Sequence, residues 1–96
     1  MTFLHRRANP VFSDEYQLLR DTLLDARLGA SVTQRDLAER LGKSRSHVAR
    51  IECGQRRVDT LEFYRIARSI GADPVKLFEA MARKLDGLAA ANARRT

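Results

Sequence analysis

Apolar residues recur along this chain mostly three to five positions apart, as they do on one face of an α-helix. Tyr16, Leu19, Leu23 and Leu28 form one such series. Leu37 with Leu41, Val48 with Ile51, then Leu61, Ile66 and Ile70, and finally Leu77 and Phe78 continue it in shorter pieces. No segment combines period-two alternation with β-branched enrichment, so no strand is predicted. The pattern divides into five helices, over about 14–28, 34–41, 45–53, 60–70 and 74–86 or beyond. The predicted fold class is all-α, a five-helix domain whose core is the set of residues just named.

The boundaries carry their own chemistry. Ser13, Thr33, Ser44, Asp59 and Asp73 each stand directly before a periodic segment, where a short side-chain oxygen accepts from the free N–H groups of a first turn. Thr33 with Asp36, and Asp59 with Glu62, have the spacing of a capping box. Pro74 follows Asp73 at the first helical position, where its missing N–H costs nothing. Gly29, Gly42, Gly54 and Gly71 each follow a segment, as helix-ending residues do. Gly87 is expected to weaken or end the last helix. The ends hold too little apolar surface to dock firmly. The expected organisation is a flexible arm over 1–12, a domain over 13–88 and a flexible tail over 89–96.

The most informative segment is 33–54, TQRDLAERLGKSRSHVARIECG. Two short helices can cross steeply only when a small side chain stands at the crossing and the linker takes a positive φ, and Ala38 and Gly42 supply both. With Leu37, Leu41, Val48 and Ile51 turned inward, the second helix turns Arg45, Ser46, His47 and Arg50 outward. This is a helix-turn-helix with a polar outer face, and its first reading is DNA binding.

Charge agrees. Eighteen Lys and Arg against twelve Asp and Glu give +6 and a pI near 10.4, which favours a polyanionic partner. The excess is local: Lys43 to Arg57 hold five basic residues and one acid, whereas Ser13 to Leu28 hold four acids and two arginines. A phosphate backbone is drawn to the former stretch. No apolar run approaches the roughly 20 residues that span a bilayer, and MTFLHRRANP lacks the apolar centre of a signal peptide. A cytoplasmic, nucleoid-associated protein without membrane contact is expected. Cys53 stands alone, and His5 and His47 are far apart, so neither a disulfide nor a metal site is expected. Paired carboxylates and phosphate-binding glycine loops are missing too. The expectation is a protein that is not an enzyme and uses no cofactor. A 96-residue chain supports only a small core, which makes a partner subunit a reasonable expectation.

The run from Leu23 to Pro74 resembles the helix-turn-helix family of lambdoid phage repressors and Cro proteins, the XRE-like regulators, and the resemblance covers about 14–78. It rests on Arg27 late in the first helix, Gln34 opening the second, Leu37-Ala38 with Leu41-Gly42, Ile51-Glu52 with Gly54, and Ile66-Ala67 with Ile70-Gly71. The resemblance implies a lambda-repressor-like domain that binds double-stranded DNA as a transcriptional regulator, as a repressor and a homodimer on a pseudo-palindromic operator. Arg45, Ser46 and Arg50 then face base edges in the major groove, with His47 reaching a base or the backbone. Arginine's usual partner is guanine O6/N7, so a G·C pair in each half-site is expected. Thr33, Gln34, Lys43, Ser44, Gln55, Arg56 and Arg57 lie near phosphates, with Gln34 also bracing the recognition helix. Arg27 and Glu52 form a partly buried ion pair. The pattern departs at Cys53, where many relatives carry Asn or a basic residue, and at Val58-Asp59, where many read Pro-Ser.

Other readings stand beside these. Taken alone, Lys43, Arg45 and Arg50 read rather as a solvated helix face, and it is the motif around them that favours DNA contact. Phe78, Met81, Leu85 and Leu88 repeat at 3-4-3 spacing, which suits either a dimer seam or packing onto the first helix. An antitoxin-like protein that binds a partner through its tails, and a non-specific architectural DNA binder, are the two rival functions.

Overall fold

A computed structural model of the protein describes residues 13–95. They form α1 (Asp14–Gly29), α2 (Gln34–Leu41), α3 (Arg45–Glu52), α4 (Thr60–Ile70) and α5 (Pro74–Arg95), with no strand among the described residues. The expected arm over 1–12 lies outside them, as does Thr96.

Each helix begins where its capping side chain stands. Ser13 Oγ accepts from the Tyr16 N–H at 3.1 Å, Ser44 Oγ from that of His47 at 3.1 Å, and Asp73 Oδ1 from that of Val75 at 2.9 Å. Thr33 and Asp36 form the reciprocal box, the Asp36 N–H donating to Thr33 Oγ1 at 3.0 Å and the Thr33 N–H to Asp36 Oδ2 at 3.4 Å. Gly42 and Gly71 end α2 and α4 in the left-handed region, at φ 70 and 90.

Two glycines behave otherwise. Gly29 stays inside α1, and the left-handed residue is Ser31 at φ 59. The turn is closed by the Ser31 N–H to Leu28 O and the Val32 N–H to Arg27 O, which bring Val32 into the core. Gly87 does not stop α5, which runs unbroken to Arg95, so 89–95 is helix and not a loose tail. The neighbouring Leu85, Leu88 and Ala89 to Ala91 are good helix formers and offset the roughly 1 kcal/mol that a mid-helix glycine costs.

The core gathers Leu23, Val32, Leu37, Ala38, Val48, Ile51, Phe63, Ile66, Ile70 and Met81, and Tyr16 and Ala67 are also buried. Three residues expected there, Leu28, Leu61 and Phe78, are more than half exposed. On α4 the inward residues are Phe63, Ile66, Ala67 and Ile70. Leu61 lies two residues before Phe63, roughly 200° round the helix, and so faces away. Val32, Phe63 and Met81, which were not in the expected core, are buried. Helix α1 packs on α3, α4 and α5, while α2 lies against α3 and α4.

Candidate nucleic-acid interface

The α2–α3 pair meets through a three-residue turn. Gly42 supplies the left-handed step, and the Lys43 N–H donates to Ala38 O at 2.9 Å, which fixes where α3 starts. Val48, 1% exposed, and Ile51, 3% exposed, nail the inner face of α3 to the core. Away from that inner face, Lys43 and Ser44 ahead of α3 and Arg45, Ser46 and Arg50 along it are all exposed. Neither Arg45 nor Arg50 is ion-paired among the described residues, so their guanidinium donors are available to a ligand.

The far end of α3 is fixed by a buried polar cluster. Arg27 donates to Glu52 twice, Nε to Oε2 at 2.6 Å and Nη2 to Oε1 at 3.0 Å, and its Nη1 reaches Val32 O at 2.8 Å. Both side chains are about nine-tenths buried. Gln34 completes the cluster, its Nε2 donating to Glu52 Oε1 at 2.8 Å. The side chain assigned to a phosphate is thus turned onto α3; its amide keeps a second N–H for an outside acceptor. Beyond Glu52, Gly54 turns at φ 86 beneath Arg20, whose Nη1 donates to Glu52 O at 3.3 Å.

His47 does not join the outward row. Its Nε2 lies 2.9 Å from Glu62 Oε2 at the start of α4, with both side chains more than four-fifths buried. His47 precedes Ile51 by one turn and shares its flank, so it points between α3 and α4. Glu62 was expected to close a capping box with Asp59. The Glu62 N–H does donate to Asp59 Oδ1 at 2.8 Å, but its carboxylate turns to His47, with Arg56 Nη2 4.0 Å away. No feature of the sequence pairs positions 47 and 62.

The α3–α4 loop brings Gln55, Arg56 and Arg57 to the surface, beside an open cleft that they share with Arg50, Asp59 and Glu62. Thr33 is exposed at the start of α2. Residues 33, 43–46, 50 and 55–57 are thus all exposed, and five of the nine are basic. Cys53 is exposed and free. Among the described residues no group of three His, Cys, Asp or Glu side chains could hold a metal ion, and no helix is long and apolar enough to cross a membrane.

The 78-81-85-88 stripe is not an open seam. Met81 is buried in the core and Leu85 packs against it, with α5 lying along α1; Leu88 is half-buried. Phe78 and Phe63 meet edge to face, centroids 6.0 Å apart at 85°, and Phe78 leaves its outer face open. That face, with Tyr64 and Val75, lines an apolar groove between α4 and α5, and Leu61 is exposed on the same helix as Tyr64.

A helix-turn-helix family model matches residues 23–77. Among solved structures, an XRE-family-like protein from Pseudomonas syringae pv. tomato str. DC3000 is 38% identical, with a TM-score of 0.70 over 84% of this chain and 90% of that one. A mutant of the restriction-modification controller protein C.Esp1396I is 22% identical, with a TM-score of 0.70 over 76% and 97%. The clp gene regulator ClgR from C. glutamicum is 24% identical, with a TM-score of 0.63 over 71% and 88%; these last two establish likeness of fold alone. A search of curated protein sequences returns no match. The chain belongs to the XRE family of helix-turn-helix DNA-binding regulators.

Proposed function

We propose that this regulator is a sequence-specific repressor that binds a pseudo-palindromic operator as a homodimer and has no catalytic activity. The observation that carries the reading is the division of α3 into two faces. Val48 and Ile51 hold one face rigidly, and Arg45, Ser46 and Arg50 are presented on the other. A rigid helix with arginines on its open face suits readout of guanine edges in a major groove. Thr33, Lys43, Ser44 and the 55–57 loop flank it and suit phosphate contacts, which set register without reading sequence.

The homodimer is supported by the apolar groove of Tyr64, Val75 and Phe78 with neighbouring Leu61, four large apolar residues each at least half exposed. A second copy of the same surface covers them, and two-fold symmetry makes that contact self-complementary. The stripe expected from sequence contributes Phe78 to it, while Met81 and Leu85 stay within the protomer.

Selection of random duplexes by the purified protein tests this. The expected product is a two-fold symmetric motif with half-site centres about 10–10.5 base pairs apart, or a multiple. Recovery of unenriched DNA with strongly salt-dependent affinity identifies an architectural binder instead.

A further inference from the structure

The α3–α4 loop has no regular structure of its own, yet its backbone is held at both ends. Its first half is tied to α3: the Gln55 and Arg56 N–H groups donate to Arg50 O at 2.9 and 3.2 Å. Its second half is tied to α1 by one side chain. The Tyr16 hydroxyl accepts from the Val58 N–H at 2.8 Å and donates to Arg56 O at 3.4 Å. A phenol carries one donor and acceptor lone pairs, so it satisfies both groups at once. The same residue also meets the loop through its ring, with the Arg57 guanidinium 5.0 Å over its centroid. Tyr16 itself is buried, and its own N–H is capped by Ser13. It is therefore a fixed post rather than a mobile contact.

We infer that Tyr16 is a positioning residue for DNA binding, holding the 55–58 loop and aiming Arg57 at the DNA backbone. The inference rests on the DNA-binding reading above. A cation–π contact consumes no hydrogen-bond acceptor, and a guanidinium has five N–H donors, so Arg57 keeps donors for a phosphate. Arg57 is thus oriented without being used up, and part of the side-chain freedom otherwise lost on binding phosphate is given up beforehand. Tyr16 touches no DNA in this role; it acts through Val58, Arg56 and Arg57.

The test is Tyr16→Phe, which keeps the ring and deletes the hydroxyl, with Arg57→Ala made in both backgrounds. Affinity is read by fluorescence anisotropy on a duplex carrying the selected motif and on a scrambled duplex, across a salt series. Hydrogen exchange of the free protein is read at the Val58 amide and at those of Val48 and Ile66. Tyr16→Phe is expected to weaken both duplexes about 3–10-fold, the scale of one or two lost hydrogen bonds. Val58 should exchange faster and the core amides unchanged. Arg57→Ala should lower the salt slope by roughly one in the wild-type background, and by less in Tyr16→Phe. Wild-type affinity and Val58 exchange in Tyr16→Phe overturn the inference while leaving DNA binding intact. So does an affinity loss matched by faster exchange throughout the core, which marks Tyr16 as a stability residue only. A wild-type protein that binds neither duplex fails the DNA reading itself and removes the inference with it.

Discussion

Arg27 and Glu52 meet fork to fork, with Nε–Oε2 at 2.6 Å and Nη2–Oε1 at 3.0 Å, and the pair joins α1 to the last residue of α3. Two parallel hydrogen bonds fix an angle as well as a distance. The pair therefore sets the tilt of the recognition helix, and Gln34 adds the third bond to the same carboxylate. Replacing Arg27 by Met leaves Glu52 nearly buried with Gln34 as its remaining partner. A loss of roughly 3–5 kcal/mol is expected, since one-sided disruption strands a charge. Arg27→Met/Glu52→Leu should recover much of that loss. Thermal melts of the three proteins decide it, and an unchanged single mutant contradicts the pairing.

The turn after α3 gives a second, smaller effect. At Gly54, φ is +86, and an added Cβ meets Arg20 Nη1 at 2.5 Å. Arg20 is flexible at its tip, but displacing it breaks the bond to Glu52 O. Gly54→Ala should cost about 1–3 kcal/mol from backbone strain alone. Adding Arg20→Ala relieves the clash but not the strain, so urea titrations should show the double mutant still well below wild type.

The structure divides the residues that sequence placed together, with Arg45 and Arg50 exposed and His47 turned onto Glu62. Arg45→Ala and Arg50→Ala should each lose about 1–3 kcal/mol of specific binding and relax one base position. His47→Ala should leave base preference alone and lower the melting temperature, because it empties a site between α3 and α4 and frees Glu62. Binding to a panel of operator variants separates the two behaviours. A changed base preference in His47→Ala places that ring in the groove after all.

Helix starts were the most legible part of the chain, because a capping side chain acts on the first turn beside it, and Ser13, Thr33, Ser44, Asp59 and Asp73 all stand where expected. The Arg27–Glu52 pair was legible only through family resemblance, since 25 residues separate its members. Glu62 shows what local pattern misses: its spacing from Asp59 fits a capping box, and a tertiary partner, His47, won the carboxylate. Met81 shows the same on the apolar side. Its 3-4-3 stripe is real, but periodicity identifies a buried face without saying whether α1 or a second subunit covers it.

The proposed dimer surface is testable by a single substitution. Val75 is 75% exposed, so Val75→Glu should change stability by no more than about 0.5 kcal/mol. Placed in an apolar two-fold seam, two such carboxylates face each other and oppose association. Sedimentation should find a folded monomer with much weaker operator binding, because the half-sites no longer act together. An unaltered dimer moves the interface away from the α4–α5 groove.

The most direct test of α3 as the reading element is methylation of guanine N7, the acceptor that arginine uses in the major groove. Duplexes carrying the selected motif are sparsely methylated, bound, separated and cleaved at the modified bases. Methylation of at least one guanine in each half-site should exclude wild-type protein, and Arg45→Ala or Arg50→Ala should become indifferent to that same guanine. Binding that tolerates N7 methylation at every guanine contradicts major-groove reading by this helix.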